Sequence, residues 1–245
     1  MREKKRRFAV VVFVFLALFG GIAYEALQTE PPAPPPPVLG INQSLTPSTA
    51  TDINSLPFAR DALNTIEEKG RAPKTGYKRA LFGDGWANAG QCDVRNVVLK
   101  RDLTETVTKS DTDCTVLSGT LNDPYTGKTI AFQRGEQTSD DVQIDHVVAL
   151  SDAWQKGAQA LTNEERVQFA NDNLNLLAVD GPINQQKGDG DAATRLPPNK
   201  DFRCRYVARQ IAVKQKYRLW VTQAEKEAMA RVLSSCPDQR LPLVS

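Results

Sequence analysis

Apolar positions recur along the chain in short clusters, and their spacing predicts most of its elements. Residues 57–69 set Phe58, Ala62, Leu63 and Ile66 on one face of a helix. Val94–Leu99 fits either a helix or a strand. Residues 114–121 and 128–134 read as two strands around the turn formed by Asp123, Pro124, Tyr125, Thr126 and Gly127. Val142–Val148 reads as a further strand, and the apolar run at 174–179 as a short one. Leu150–Gln159 and Thr162–Ala170 read as helices, the latter with Thr162 and Glu165 as a capping box. Residues 202–217 and 223–235 read as two helices joined by a short turn, and Thr222 and Glu225 offer the second a capping box. This predicts an α+β fold, mostly helical, with a small antiparallel sheet in one domain over residues 56–240.

The N-terminal part follows a different pattern. Residues 2–7 are basic, and residues 8–24 form an uncharged apolar or small-residue run. That is the layout of a secretory signal or a signal anchor. With the bases preceding the run, the N-terminus stays cytoplasmic and the rest is exported. The expected destination is secretion, or tethering to the outer face of the cytoplasmic membrane if the segment is uncleaved. Residues 25–55 read as a linker: a polyproline II spacer at 31–38, then a stretch rich in Ser, Thr and Asn.

Charge and cysteine content narrow the classes. The net charge of +2 over 245 residues excludes a histone-like polycation. Within residues 195–218, however, eight basic residues face one acid, Asp201. A patch there, with Arg203, Arg205 and Arg209, could neutralise backbone phosphates. Cys92, Cys114, Cys204 and Cys236 lie beyond the leader, as two disulfides would in an oxidising compartment. Of three connectivities, Cys92–Cys114 with Cys204–Cys236 is favoured. The second pair has a geometric warrant, since an antiparallel helix pair sets the start of one helix beside the end of the other. No Cys-x-x-Cys knuckle supports a zinc site built from these four.

The chain has one histidine, so any histidine chemistry must use His146. It follows Asp145 at the end of a predicted strand. Further on come Asn175-Leu176-Leu177 and then Asn184 with Lys187. Asp-His, Asn-Leu-Leu and Asn-x-x-Lys in this order resemble the ββα-metal, or HNH, nuclease finger, with Asn184 where a histidine often stands. Asn173 is the alternative for the middle position. The residue types suit phosphodiester hydrolysis. A neutral imidazole accepts a proton from water. The Asp145 carboxylate and Asn184 carbonyl suit a hard divalent ion, Mg²⁺ first and Mn²⁺ as the alternative. Asn175 would hold the histidine loop, and Lys187 could meet a phosphate. Arg95 has two readings of equal standing: a guanidinium on the scissile phosphate, or a structural salt bridge.

The segments TGYKRALFGDGW, CDVRN, DPYTG, IDHVVALSDAW and NLLAVDGPINQQKGD, with the helices that follow, resemble the exported HNH endonucleases of actinobacteria, relatives of the C-terminal nuclease half of modification-dependent restriction enzymes. The resemblance implies a metal-dependent nuclease acting on DNA, with no organic cofactor. A competing reading is a non-catalytic envelope module that binds nucleic acid or an anionic polymer through residues 195–218. A Ser-His-Asp hydrolase is disfavoured, because no Gly-x-Ser-x-Gly elbow is present. Asp152 and the acids Asp189 and Asp191 read as capping and loop residues.

Overall fold

Two hydrophobic cores share one two-stranded ribbon. The structure, a computed structural model, describes residues 55–110 and 112–243. The predicted leader and linker lie outside the described residues, apart from Ser55. Among the described residues no helix is long and apolar enough to cross a membrane. The fold is α+β, with small antiparallel sheets and two disulfides.

The chain enters through α1 (Ala59–Thr65) and reaches a short hairpin, β1 (Asn88–Ala89) and β2 (Cys92–Asp93). Helix α2 (Val94–Asp102) leads into a three-stranded meander of β3 (Leu103–Ser110), β4 (Asp113–Asn122) and β5 (Thr129–Gln133). The ribbon pairs β6 (Val142–His146) with β7 (Leu176–Asp180), Asp145 opposite Leu177 and His146 opposite Leu176. Between them lie α3 (Leu150–Trp154) and α4 (Asn163–Asn171); after β7 come α5 (Gly181–Lys187), α6 (Arg203–Lys216) and α7 (Gln223–Leu233).

Strand alternation explains how the ribbon serves both cores. Val142, Ile144, Leu176 and Ala178 join the smaller core beneath α2 and the meander. Leu177 and Val179 join the larger core, built from α1, α3, α4, α6 and α7. Strand β7 is buried on both faces and accordingly reads as a continuous apolar run over Leu176–Val179.

Local chemistry sets the element ends. Thr162 and Glu165 form the complete capping box. At α7 only half of the expected box forms: Thr222 accepts from the Glu225 N–H, while the Glu225 carboxylate turns into the core. Helix α3 stops at Trp154, short of the expected Gln159; beyond it Gly157 adopts φ +124° and a single 3₁₀ turn follows. Strand β3 was absent from the expectation, because Leu103 is its one buried position and Val107 faces solvent. The turn from β7 into α5 demands Gly181: a Cβ there would lie 1.8 Å from the Asp140 carbonyl oxygen. Asp180 then caps α5 on the Ile183 N–H, with Pro182 in the first turn.

The disulfides join Cys92 to Cys114 and Cys204 to Cys236. The first staples β2 to β4 just before α2. The second joins the first turn of α6 to the residues after α7.

Several charges expected on the surface lie inside. Lys156, Lys214 and Glu225 are fully buried, and Asp152 and Asp191 nearly so. Lys156 Nζ lies 2.7 Å from Asp152, 2.8 Å from Asp191 and 2.6 Å from Glu225. Lys214 lies 3.0 Å from Glu225, and Arg71 lies 3.0 Å from Asp152 and 2.6 Å from Asp191. Three cations thus face three carboxylates. Asp152 and Asp191 are therefore members of a buried ion network: Asp152 caps no helix, contrary to its reading, while Asp191 joins the network from the loop where it was expected. Burial opposes the charge on Asp191, but Lys156 and Arg71 outweigh it and hold its pKa down at about 2.

Candidate active site

A cleft of about 460 Å³ opens at the end of β6, lined among others by Arg79, Trp86, Arg95, Asp145, His146, Ser151 and Asn184. Its parts come from five places: the glycine-rich segment before β1, the first turn of α2, the end of β6, the start of α3, and α5.

His146 is 8% exposed. Its Nε2 lies 2.9 Å from the Ala170 carbonyl oxygen. A carbonyl can only accept, so Nε2 carries the proton and Nδ1 keeps its lone pair. Burial, reinforced by the nearby Arg79 and Lys187, lowers the imidazole pKa to about 4, so the ring is neutral at pH 7. Trp86 lies parallel to it, with ring centroids 5.9 Å apart and 8° between planes.

The loop after His146 is clamped by Asn175, which is fully buried at the entry to β7. Its Oδ1 accepts from the Val148 N–H (2.8 Å), and its Nδ2 donates to the Val148 carbonyl (3.2 Å). Its own carbonyl accepts from the Val147 N–H. Asn173 makes none of these contacts; its carbonyl accepts from Arg101 and Arg209 instead.

Asp145 points to the other face of the ribbon. Oδ1 accepts from Lys187 Nζ at 2.9 Å, and Oδ2 accepts from the Tyr125 hydroxyl at 2.5 Å. Burial raises the Asp145 pKa, although Lys187 and Tyr125 both favour the carboxylate. Lys187, expected on a phosphate, is instead buried, and its ammonium also donates to the His146 carbonyl at 2.9 Å. Asn184 Nδ2 donates to Gln143 Oε1, and among the described residues its Oδ1 has no hydrogen bond.

The ligand chemistry can be tested on these groups. Among the described residues no cluster of three or more His, Cys, Asp or Glu is arranged to hold a metal. That set does not fit a zinc-type centre built from several His or Cys ligands. Asp145 and Asn184 are hard oxygen donors, and the Asn184 Oδ1 is not taken by a hydrogen bond among the described residues. They fit a hard ion that draws most of its shell from water and phosphate, as Mg²⁺ does.

Arg95 is half-buried and, among the described residues, makes no hydrogen bond and no ion pair, so the salt-bridge reading is not what the fold adopts. Its helix is firmly held. Asp93 caps α2 on the Asn96 N–H, and Asn96 Oδ1 accepts from Val116 N and from Arg134. Burial and the nearby Arg134 lower the Arg95 pKa, against the opposing pull of Asp93 and Asp140.

The 195–218 stretch is largely committed to internal contacts. Lys214 sits in the buried network, Lys216 pairs with Asp172 and Arg218 with Glu165. Arg203 donates to the Pro197 carbonyl, and Arg209 to the carbonyls of Asn173 and Leu176. Arg205 is exposed, over the Phe202 ring. None of these three lines the His146 cleft. Its cationic wall is Arg79 with Arg95. Arg79 and Trp86 escaped the sequence reading; the glycine-rich GYKRALFGDGW segment was their one signal.

Comparison with known proteins adds to this geometry. The family described as "GmrSD restriction endonucleases, C-terminal domain" matches residues 93–232. A protein of Arthroderma benhamiae named "Uncharacterized secreted protein" is 35% identical over 226 residues, covering 91% of this chain and 99% of that protein. That relative is fungal, so the expected actinobacterial affiliation finds no support in it. No solved structure matches the chain significantly.

Proposed function

The chain belongs to the family of GmrSD restriction endonuclease C-terminal domains, and from that premise we propose that it is an exported, metal-dependent HNH-type endonuclease that hydrolyses DNA. The observation that carries the reading is the state of His146: Nε2 anchored on a backbone carbonyl, Nδ1 left as acceptor, in a cleft shared with an unpartnered Arg95.

In this reading His146 Nδ1 takes a proton from the attacking water. The Ala170 carbonyl fixes the tautomer and Asn175 fixes the loop, so the base is held before substrate arrives. Arg95, with Arg79, binds the scissile phosphate and stabilises its developing charge. Asp145 and Asn184 would hold the ion, Mg²⁺ first, which supplies positive charge against phosphate and leaving oxygen. The relative named as secreted and the two disulfides support export, either free or tethered through residues 8–24.

The test is nicking of supercoiled plasmid by the disulfide-bonded chain in Mg²⁺, in Mn²⁺ and in EDTA. Ion-dependent nicking is expected. Folded protein that binds DNA but never cuts it would leave the non-catalytic binding module as the better account.

A further inference from the structure

Lys187 stands where the ion chemistry needs Asp145 to be available. Its ammonium is 2.9 Å from Asp145 Oδ1 and 2.9 Å from the His146 carbonyl, and its side chain is 5% exposed. The Tyr125 hydroxyl takes the other carboxylate oxygen. A buried carboxylate needs a counter-charge or it destabilises the fold. Lys187 supplies that charge from within the chain, and the same bond ties the end of α5 to the end of β6.

We infer that Lys187 is a built-in competitor of the divalent ion at Asp145. The inference rests on the proposed reading of Asp145 as an ion ligand. An ion that shares Asp145 meets a positive charge a few ångströms away in a poorly hydrated site, where like charges repel strongly. The Lys187 ammonium therefore weakens ion binding to the free protein. Substrate phosphate in the cleft adds negative charge beside the ion and tips the balance. The ion is taken up with the substrate, and α5 stays docked on the ribbon throughout.

Mn²⁺ titration followed by electron paramagnetic resonance tests this without reference to cleavage. The full disulfide-bonded chain is compared with Lys187→Met and with Lys187→Gln. The glutamine variant removes the charge yet can still donate to the His146 carbonyl, so it covers the case in which the methionine variant fails to fold. The neutral variants should bind Mn²⁺ about tenfold more tightly or better. Lys187→Arg should bind as weakly as the wild type. Adding Asp145→Asn to the neutral variant should abolish the gain. Equal Mn²⁺ affinity in wild type and neutral variants, or no binding in any of them, overturns the inference. Plasmid nicking by the wild type separates the two levels. Ion-dependent nicking with unchanged Mn²⁺ affinity sinks the role of Lys187 and keeps the nuclease. A gain in affinity that depends on Asp145, in a chain that never nicks, does the reverse.

Discussion

The molecule buries charge in two places and treats it in opposite ways. Around Lys156, three cations meet three carboxylates with no water-facing face on Lys156 or Glu225. Around His146, bonds are left unmade: among the described residues neither Arg95 nor Arg79 makes a hydrogen bond or ion pair, and the Asn184 carbonyl is unbonded. The first cluster balances its charges within the fold, three against three, and serves the fold. The second is incomplete on its cationic side and sits in an open cleft, so it has capacity for an anion. Buried charge by itself says little about function; unmet charge in a cleft says much more.

Mutations that separate the two clusters sharpen the contrast. The largest effect belongs to the base. His146→Ala should slow cleavage per folded molecule about 10²–10⁴-fold while leaving DNA binding near the wild type, as read by plasmid nicking and gel shift. Next comes the network. Lys156→Met leaves three buried carboxylates to two cations and should cost about 3–5 kcal/mol in urea unfolding, with cleavage per folded molecule retained. A Lys156→Met protein as stable as the parent would break the comparison from the structural side. Arg95→Ala should slow cleavage about 10²–10³-fold, and Arg95→Lys should recover only part of it, because a point charge does not reproduce the guanidinium fork.

Acid offers a subtler probe. Asp191 is held at about 2, below its ordinary value of 3.8. Its contribution to stability is complete above pH 4 and drains away as the pH falls toward 2. The denaturation midpoint should drop over that window, and an Asp191→Asn protein should show a flatter profile. The smallest effect is expected on the basic stretch. Arg205→Ala should change DNA affinity by less than about threefold, since Arg205 lies outside the cleft and forms at most a surface contact. A loss near that of Arg95→Ala would restore residues 195–218 as the nucleic-acid face.

What could be read from the chain alone follows from the range of the interactions involved. Local signals were legible: the Thr162 capping box, the helices near 203–216 and 223–233, and the apolar run that becomes β7. The asparagine choice was half legible, since spacing pointed to Asn175 and the hydrogen bonds to Val148 place it on the loop. Interactions across long sequence distance were not. Lys156 meets Asp191 and Glu225 from 35 and 69 positions away, and nothing local marks them as partners. Lys187 read as a free cation because its partner, Asp145, lies 42 positions earlier on a strand that alternates away from His146. Strand β3 carries almost no buried positions, so the pattern that marks a strand was never written into it.

The central claim, that the His146 cleft cuts phosphodiesters, is tested most directly by the nicking rate per folded molecule of His146→Ala beside the wild-type chain. The account predicts ion-dependent nicking by the wild type, and a fall of about 10²–10⁴-fold per folded molecule in the variant. Equal nicking by a folded His146→Ala protein would contradict it and move the chemistry elsewhere in the chain.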